Sequence, residues 1–170
     1  MKNVFLLTGI FSLFVLNCRK EQDDIQQIDQ TMKVYVDSAG KDMLNTKISG
    51  AYSGLNINDI NGVTDTAPVS SYSIKKDKDT VAYIEYIAGA KRLLIDSSDV
   101  NKKIYESALA LNYTTLISTT KTKKTSDTLV LRYMLSPQIF QITSGEYKSY
   151  GRTWKFSKLS GQENIFKISK

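Results

Sequence analysis

The sequence predicts an all-β protein, an antiparallel β-sandwich, and three observations carry that expectation. Clusters of Asn, Asp, Ser, Thr and Lys recur along the chain at short intervals and read as turns. Between them, β-branched and aromatic residues alternate with polar ones, the two-residue period of a strand with one buried face. Only two prolines interrupt the chain, and stretches of helical period are nearly absent. The same pattern supports a closed barrel as the second choice.

Taken in order, residues 32–36 are the first strand, and 37–40 (Asp-Ser-Ala-Gly) the first turn. Residues 41–45 predict one helical turn. The alternation Leu55-Asn56-Ile57-Asn58 leads into Asn61-Gly62, the preferred pair for a type I′ hairpin turn, in which both central residues take positive φ. Residues 71–74 predict a strand and 75–79 a charged turn.

Residues 80–88 are a stronger strand. Val81, Tyr83 and Ile87 share one face and Ile84 and Tyr86 the other, so the strand is expected to be central or covered on both sides. Residues 91–95 are expected to pair with it across Gly89, and the polar run 96–103 to hold a short helical turn. The longest extended stretch is 106–120, with Leu109, Leu111, Tyr113 and Ile117 on one face. It pairs with 128–135 across the basic turn 121–127. Residues 139–143, 153–157 and 164–168 close the chain as short strands, while Trp154, Tyr83, Tyr86, Tyr113 and Tyr133 supply core bulk.

The residues nominate little chemistry. There is no histidine, which removes the commonest general base, His-dependent triads and His metal sites. No glycine-rich phosphate loop occurs. Carboxylate pairs would suffice for glycoside hydrolysis. The candidate acids are Asp37, Asp42, Asp59, Asp65, Glu85, Asp96 and Glu146, most of them beside turn residues. Glu85 interrupts an apolar strand, where a lysine partner or solvent accounts for it. Asp59-Ile60-Asn61-Gly62-Val63-Thr64-Asp65 alternates oxygen side chains around a glycine but lacks the distal bidentate Glu of a calcium loop. Asp77 and Asp79 stand among lysines that repel a cation. Neither metal nor cofactor is expected.

The formal charge is +6. Lys75-Lys76, Lys91-Arg92, Lys102-Lys103 and Lys123-Lys124 each fall beside a turn, where solvated lysines protect hairpin tips and strand edges. A nucleic-acid partner is not expected.

The N-terminus predicts a location. Met1-Lys2-Asn3 is followed by an uncharged apolar run over 4–16, too short at about 1.5 Å per residue to cross a hydrocarbon core of about 30 Å. It has the length of the apolar region of a secretory signal. Cys18, the single cysteine, stands where the run ends, so the domain has no intramolecular disulfide. Val15-Leu16-Asn17-Cys18 resembles the lipobox of bacterial lipoproteins, although Leu16 and Asn17 depart from its small-residue pattern. The resemblance implies a signal peptide over 1–17, cleavage before Cys18 and diacylglycerol on its thiol. Several acyl chains then give stable membrane anchoring. Residues 18–30 are expected to be a flexible acidic tether, in which Glu21, Asp23 and Asp24 resemble the surface-export signal of many Bacteroidota lipoproteins. Residues 31–170 form a single β-rich domain.

Two further stretches, Val34-Tyr35-Val36-Asp37-Ser38-Ala39-Gly40-Lys41-Asp42-Met43-Leu44-Asn45 and Ser126-Asp127-Thr128-Leu129-Val130-Leu131, resemble motifs of small uncharacterised Bacteroidota exported lipoproteins. That resemblance implies an immunoglobulin-like or similar sandwich on an outer membrane, at the cell surface or on the periplasmic face, and no activity. The lipocalin family, the barrel alternative, usually carries Gly-x-Trp near the start of the domain. The similar run here, Gly151-Arg152-Thr153-Trp154, is near the end. The expected function is non-catalytic binding of a glycan, peptide or envelope protein. A hydrolase or small-ligand carrier is the alternative, and would need a concave apolar pocket around Glu85 or Asp42.

Overall fold

The computed structural model describes residues 26–63, 67–159 and 161–170. Among these, thirteen strands and no helix form. They are β1 (Gln27–Asp29), β2 (Thr31–Ser38), β3 (Lys41–Asp42), β4 (Tyr52–Asp59), β5 (Ala67–Pro68), β6 (Tyr72–Lys76), β7 (Ala82–Ile87), β8 (Leu93–Asp99), β9 (Lys102–Leu116), β10 (Thr122–Leu135), β11 (Ile139–Ser149), β12 (Arg152–Ser157) and β13 (Ile165–Ser169). The fold class is all-β, as the two-residue periodicity predicts.

Two sheets form. The larger is strongly curled, with eight strands. The long strands β9, β10 and β11 are its centre, and each outer edge is shared. β11 pairs with β1 at its start and with β12 at its end. β9 pairs with β8 at its start and with β4 further on, and β5 lies beyond β4. The smaller sheet runs β13-β2-β7-β6, with β3 on β2. Pairing is antiparallel except at two places, where β1 runs parallel to β11 and β13 parallel to β2.

The core lies between the sheets. β9 contributes Leu109, Leu111 and Tyr113; β10 contributes Leu129, Leu131 and Tyr133; β11 contributes Ile142 and Tyr147. Facing them are Met32, Val34 and Val36 of β2, Ala82, Ile84 and Tyr86 of β7, and Phe166 and Ile168 of β13. Burial of each large apolar side chain contributes about 1.5–3 kcal/mol. Tyr86, Tyr113 and Tyr133 are thus core residues as expected, and Trp154 packs edge-on against Tyr147 at 6.0 Å. Gly145 faces Leu131 across the β10–β11 ladder, where a Cβ would sit 2.9 Å from Leu131 Cδ2 and 3.0 Å from Val130 O.

Several local expectations are corrected. The Asn61-Gly62 turn is not type I′: Asn61 lacks positive φ, and Gly62 N donates to Asp59 O at 3.4 Å. Two-residue turns with both φ values positive occur instead at Ala39-Gly40 (51° and 74°) and Tyr150-Gly151 (47° and 76°). Residues 41–45 open with β3 rather than a helical turn, and 96–99 belong to β8. β8 does not pair with β7, because both edges of β7 are taken, by β2 and β6; it crosses to β9. β9 spans Lys102–Leu116 and β10 already begins at Thr122, so 121–127 is mostly strand. Tyr83 is buried on the outer face of its sheet, 5.3 Å from Tyr35, whereas Val81 and Ile87 are exposed. Lastly, β1 lies within the stretch 18–30 read as a tether, so the end of that stretch is a sheet strand.

The β6–β7 turn holds a removable strain. Asp77 Oδ1 accepts from Asp79 N and Val81 N, and Thr80 sits at φ 64°. A β-branched residue there is disfavoured by steric contact of its side chain with the backbone. Thr80→Gly is expected to stabilise the fold by about 0.5–1 kcal/mol, the relief of strain exceeding the added entropy of the unfolded chain. A higher urea midpoint at unchanged slope is the measurement that checks this.

Candidate functional site

A cleft of about 710 Å³, lined mostly by polar residues, opens where the two sheets part, beside β1. Its walls come from opposite ends of the sequence. β1 and the start of β2 supply Gln27, Asp29, Thr31 and Lys33; β11 supplies Gln141 and Thr143; the segment after β12 supplies Lys158, Gln162, Glu163 and Asn164. The cleft exists because the chain leaves the larger sheet after Asp29 and joins the smaller one at Thr31, and later makes the same crossing between β12 and β13.

Two ion pairs fasten the crossings to each other. Lys158, whose side chain is 6% exposed, pairs with Asp29, and Lys33 Nζ meets Glu163 Oε2 at 2.7 Å. The Glu163 hydrogen bond holds the Lys33 ammonium above its ordinary range. Asn164 is buried. Its Nδ2 donates to Asp29 Oδ1 at 2.8 Å and to Thr31 O at 2.9 Å, which fixes the orientation of the amide. Its Oδ1 is buried with no partner among the described residues. A buried amide oxygen without a donor is costly, on the order of 1–3 kcal/mol.

The nominated acids do not converge on this cleft. Asp42 Oδ1 accepts from Leu44 N at 3.0 Å and Oδ2 from Ala82 N at 2.8 Å, filling the gap where β3 replaces β7 along β2. Asp59 is buried and accepts from Asn61 N and Lys91 N. Asp37 Oδ2 accepts from Ser169 Oγ. Glu85 pairs with Lys75 at 2.6 Å, and Glu146 with Lys148 at 3.5 Å. The backbone amide of Ser98 holds Asp96 below the usual carboxylate range. Asp79 is exposed. Among the described residues no group of three or more His, Cys, Asp or Glu is placed to hold a metal. Cys18, Glu21, Asp23, Asp24 and Asp65 lie outside the described residues.

A second polar cluster lies inside the sandwich, and the expected site residues do not include it. Tyr113 and Tyr147 join their hydroxyls at 3.0 Å, and Tyr147 donates to Asp127 Oδ2 at 2.6 Å. Lys170 reaches the same carboxylate oxygen and donates to Tyr52 Oη at 2.9 Å. The signal was available as parity: Asp127 precedes Leu129 and Leu131 in steps of two, and Lys170 follows Phe166 and Ile168 in the same steps.

Burial pushes the phenols of Tyr113, Tyr133 and Tyr147 well above their ordinary value near 10. Neutral phenols are thereby favoured in the folded state. Their contribution to stability is fully present below the unfolded value and falls as pH rises above about 10, because the unfolded chain then sheds protons that the folded one retains. Ultraviolet titration is expected to show exposed tyrosines ionising near 10 and a later fraction ionising only as the β circular-dichroism signal collapses. A single titration with the fold intact would refute this.

No family model matches the chain, and neither a curated protein nor a solved structure does. Fold and geometry together define a two-sheet all-β domain with a polar cleft where its crossing segments meet.

Proposed function

We propose that the chain is an exported lipoprotein, anchored through lipid on Cys18, whose β-domain binds a polar, hydroxyl-rich ligand in the cleft beside β1 without transforming it. One observation carries the binding site: amide, carboxylate and ammonium groups line an open cleft. Side-chain amides and carboxylates suit sugar hydroxyls, which both donate and accept. The hydrolase reading finds less support. Asp42 and Asp59 are spent on backbone amides, and Glu85 on Lys75. The carrier reading needs space where Tyr86, Tyr113, Tyr133 and Tyr147 pack.

The ligand class is tested by titrating the domain with a panel of surface oligosaccharides and peptides, beside Gln141→Ala and Gln162→Ala. Saturable oligosaccharide binding, weakened in both variants with melting temperature retained, is expected. Peptide binding alone, or sugar binding indifferent to both variants, would refute the assignment. Anchoring is tested separately by labelling cells with a tagged fatty acid: the label is expected on the wild type and absent from Cys18→Ala.

A further inference from the structure

The Lys170 ammonium sits among three tyrosine rings and a carboxylate. Its Nζ lies 4.9 Å from the ring centre of Tyr113 and 5.4 Å from those of Tyr52 and Tyr147. Tyr52 and Tyr113 are stacked at 4.1 Å and make one wall; Tyr147 makes another. The Asp127 carboxylate, 1% exposed, closes the end. Aromatic faces and a carboxylate around one point are the chemistry that holds an alkylammonium group, since ring quadrupoles and anion both attract it in a desolvated setting. All four cage residues stand on neighbouring strands of the larger sheet, β4, β9, β10 and β11, whereas the occupant is delivered by the smaller sheet, from the residue after β13.

The occupant does not exhaust the cage. Asp127 Oδ1 is buried and has no partner among the described residues, so the carboxylate keeps an unused acceptor. The Lys170 side chain is 13% exposed, so solvent reaches part of it. Its main chain is fixed independently of the ammonium, by Lys170 N to Asp37 O at 2.9 Å. The side chain can leave while β13 stays in place.

We propose that Tyr52, Tyr113, Tyr147 and Asp127 form a binding site for a primary alkylammonium group, that Lys170 is its built-in occupant, and that an external ammonium ligand enters when this side chain withdraws. The proposal is independent of the cleft beside β1. Lys170→Ala retains Cβ and vacates a volume that propylammonium matches atom for atom. Adding propylammonium chloride at millimolar concentration is expected to raise the melting temperature of Lys170→Ala by several degrees and to shift its tyrosine circular dichroism, relative to equal sodium chloride. The wild type is expected to respond far less, and Lys170→Ala/Asp127→Asn not at all. A folded Lys170→Ala that responds equally to both salts would overturn the proposal. Should Lys170→Ala not fold, Lys170→Met keeps the stem and removes the charge. Only the nitrogen's place is then vacant, so ammonium chloride is the probe, with the same two outcomes.

Discussion

Asp127→Ala is expected to destabilise the fold by about 3 kcal/mol, the largest single effect among the polar residues. Asp127 is 2% exposed, and its Oδ2 accepts from both Tyr147 and Lys170. Removing it leaves an ammonium among tyrosine rings without its counter-charge, and a buried hydroxyl without its acceptor. Breaking one side of a buried pair typically costs 3–5 kcal/mol, and partial exposure of Lys170 places this case at the lower end. The sign reverses for a matched replacement. Asp127→Leu with Lys170→Met removes both charges and fills the space with apolar atoms, and such exchanges are often neutral. Urea unfolding of the wild type, both single variants and the double variant closes a cycle. The double variant is expected to be clearly more stable than the sum of the single effects allows. Additive losses would mean that Asp127 and Lys170 act separately.

How much of this was legible follows from what parity can and cannot convey. The inner faces of β2, β9 and β10 were readable because their apolar residues recur every second position, and the structure places Leu109, Leu111 and Tyr113 inside together. Asp127 obeys the same parity, but the lysines before it carry the signature of an exposed turn. The partner of β8 is hidden from local sequence for a different reason. Adjacent strands usually pair, but β7 had no free edge, and edge occupancy is a property of the whole sheet. The parallel pairings of β1 with β11 and of β13 with β2 join opposite ends of the chain. The cleft between them was out of reach for that reason, since no local pattern relates Asp29 to Lys158 or Asn164.

The crossing from β7 to β8 shows how that missing edge is compensated, and it carries the second large expectation. Between Ala88 and Arg92 the backbone leaves one sheet before joining the other, so its amides lack ladder partners. Side chains replace them in succession. The Tyr86 hydroxyl accepts from Gly89 N at 3.1 Å and Ala90 N at 3.0 Å, and Asp59 Oδ2 accepts from Lys91 N at 2.6 Å. Arg92 donates to Ala88 O and Gln30 Oε1, with its guanidinium 4.8 Å from the Phe140 ring centre and 5.1 Å from that of Tyr133. Tyr86 is 1% exposed, so Tyr86→Phe preserves the packing and deletes one oxygen. The Ala90 amide is buried and then has no acceptor, whereas Gly89 is exposed and can turn to water. One orphaned buried amide costs about 1–3 kcal/mol, and the expected loss is about 2 kcal/mol. Urea midpoints measure it, and hydrogen exchange locates it. The Ala90 amide should exchange faster than global destabilisation alone explains, while amides in the β9–β10 ladder follow the global change. An unchanged midpoint would mean that the crossing finds other acceptors, and that the Tyr86 hydroxyl is a bystander in a core the aromatic ring fills by itself.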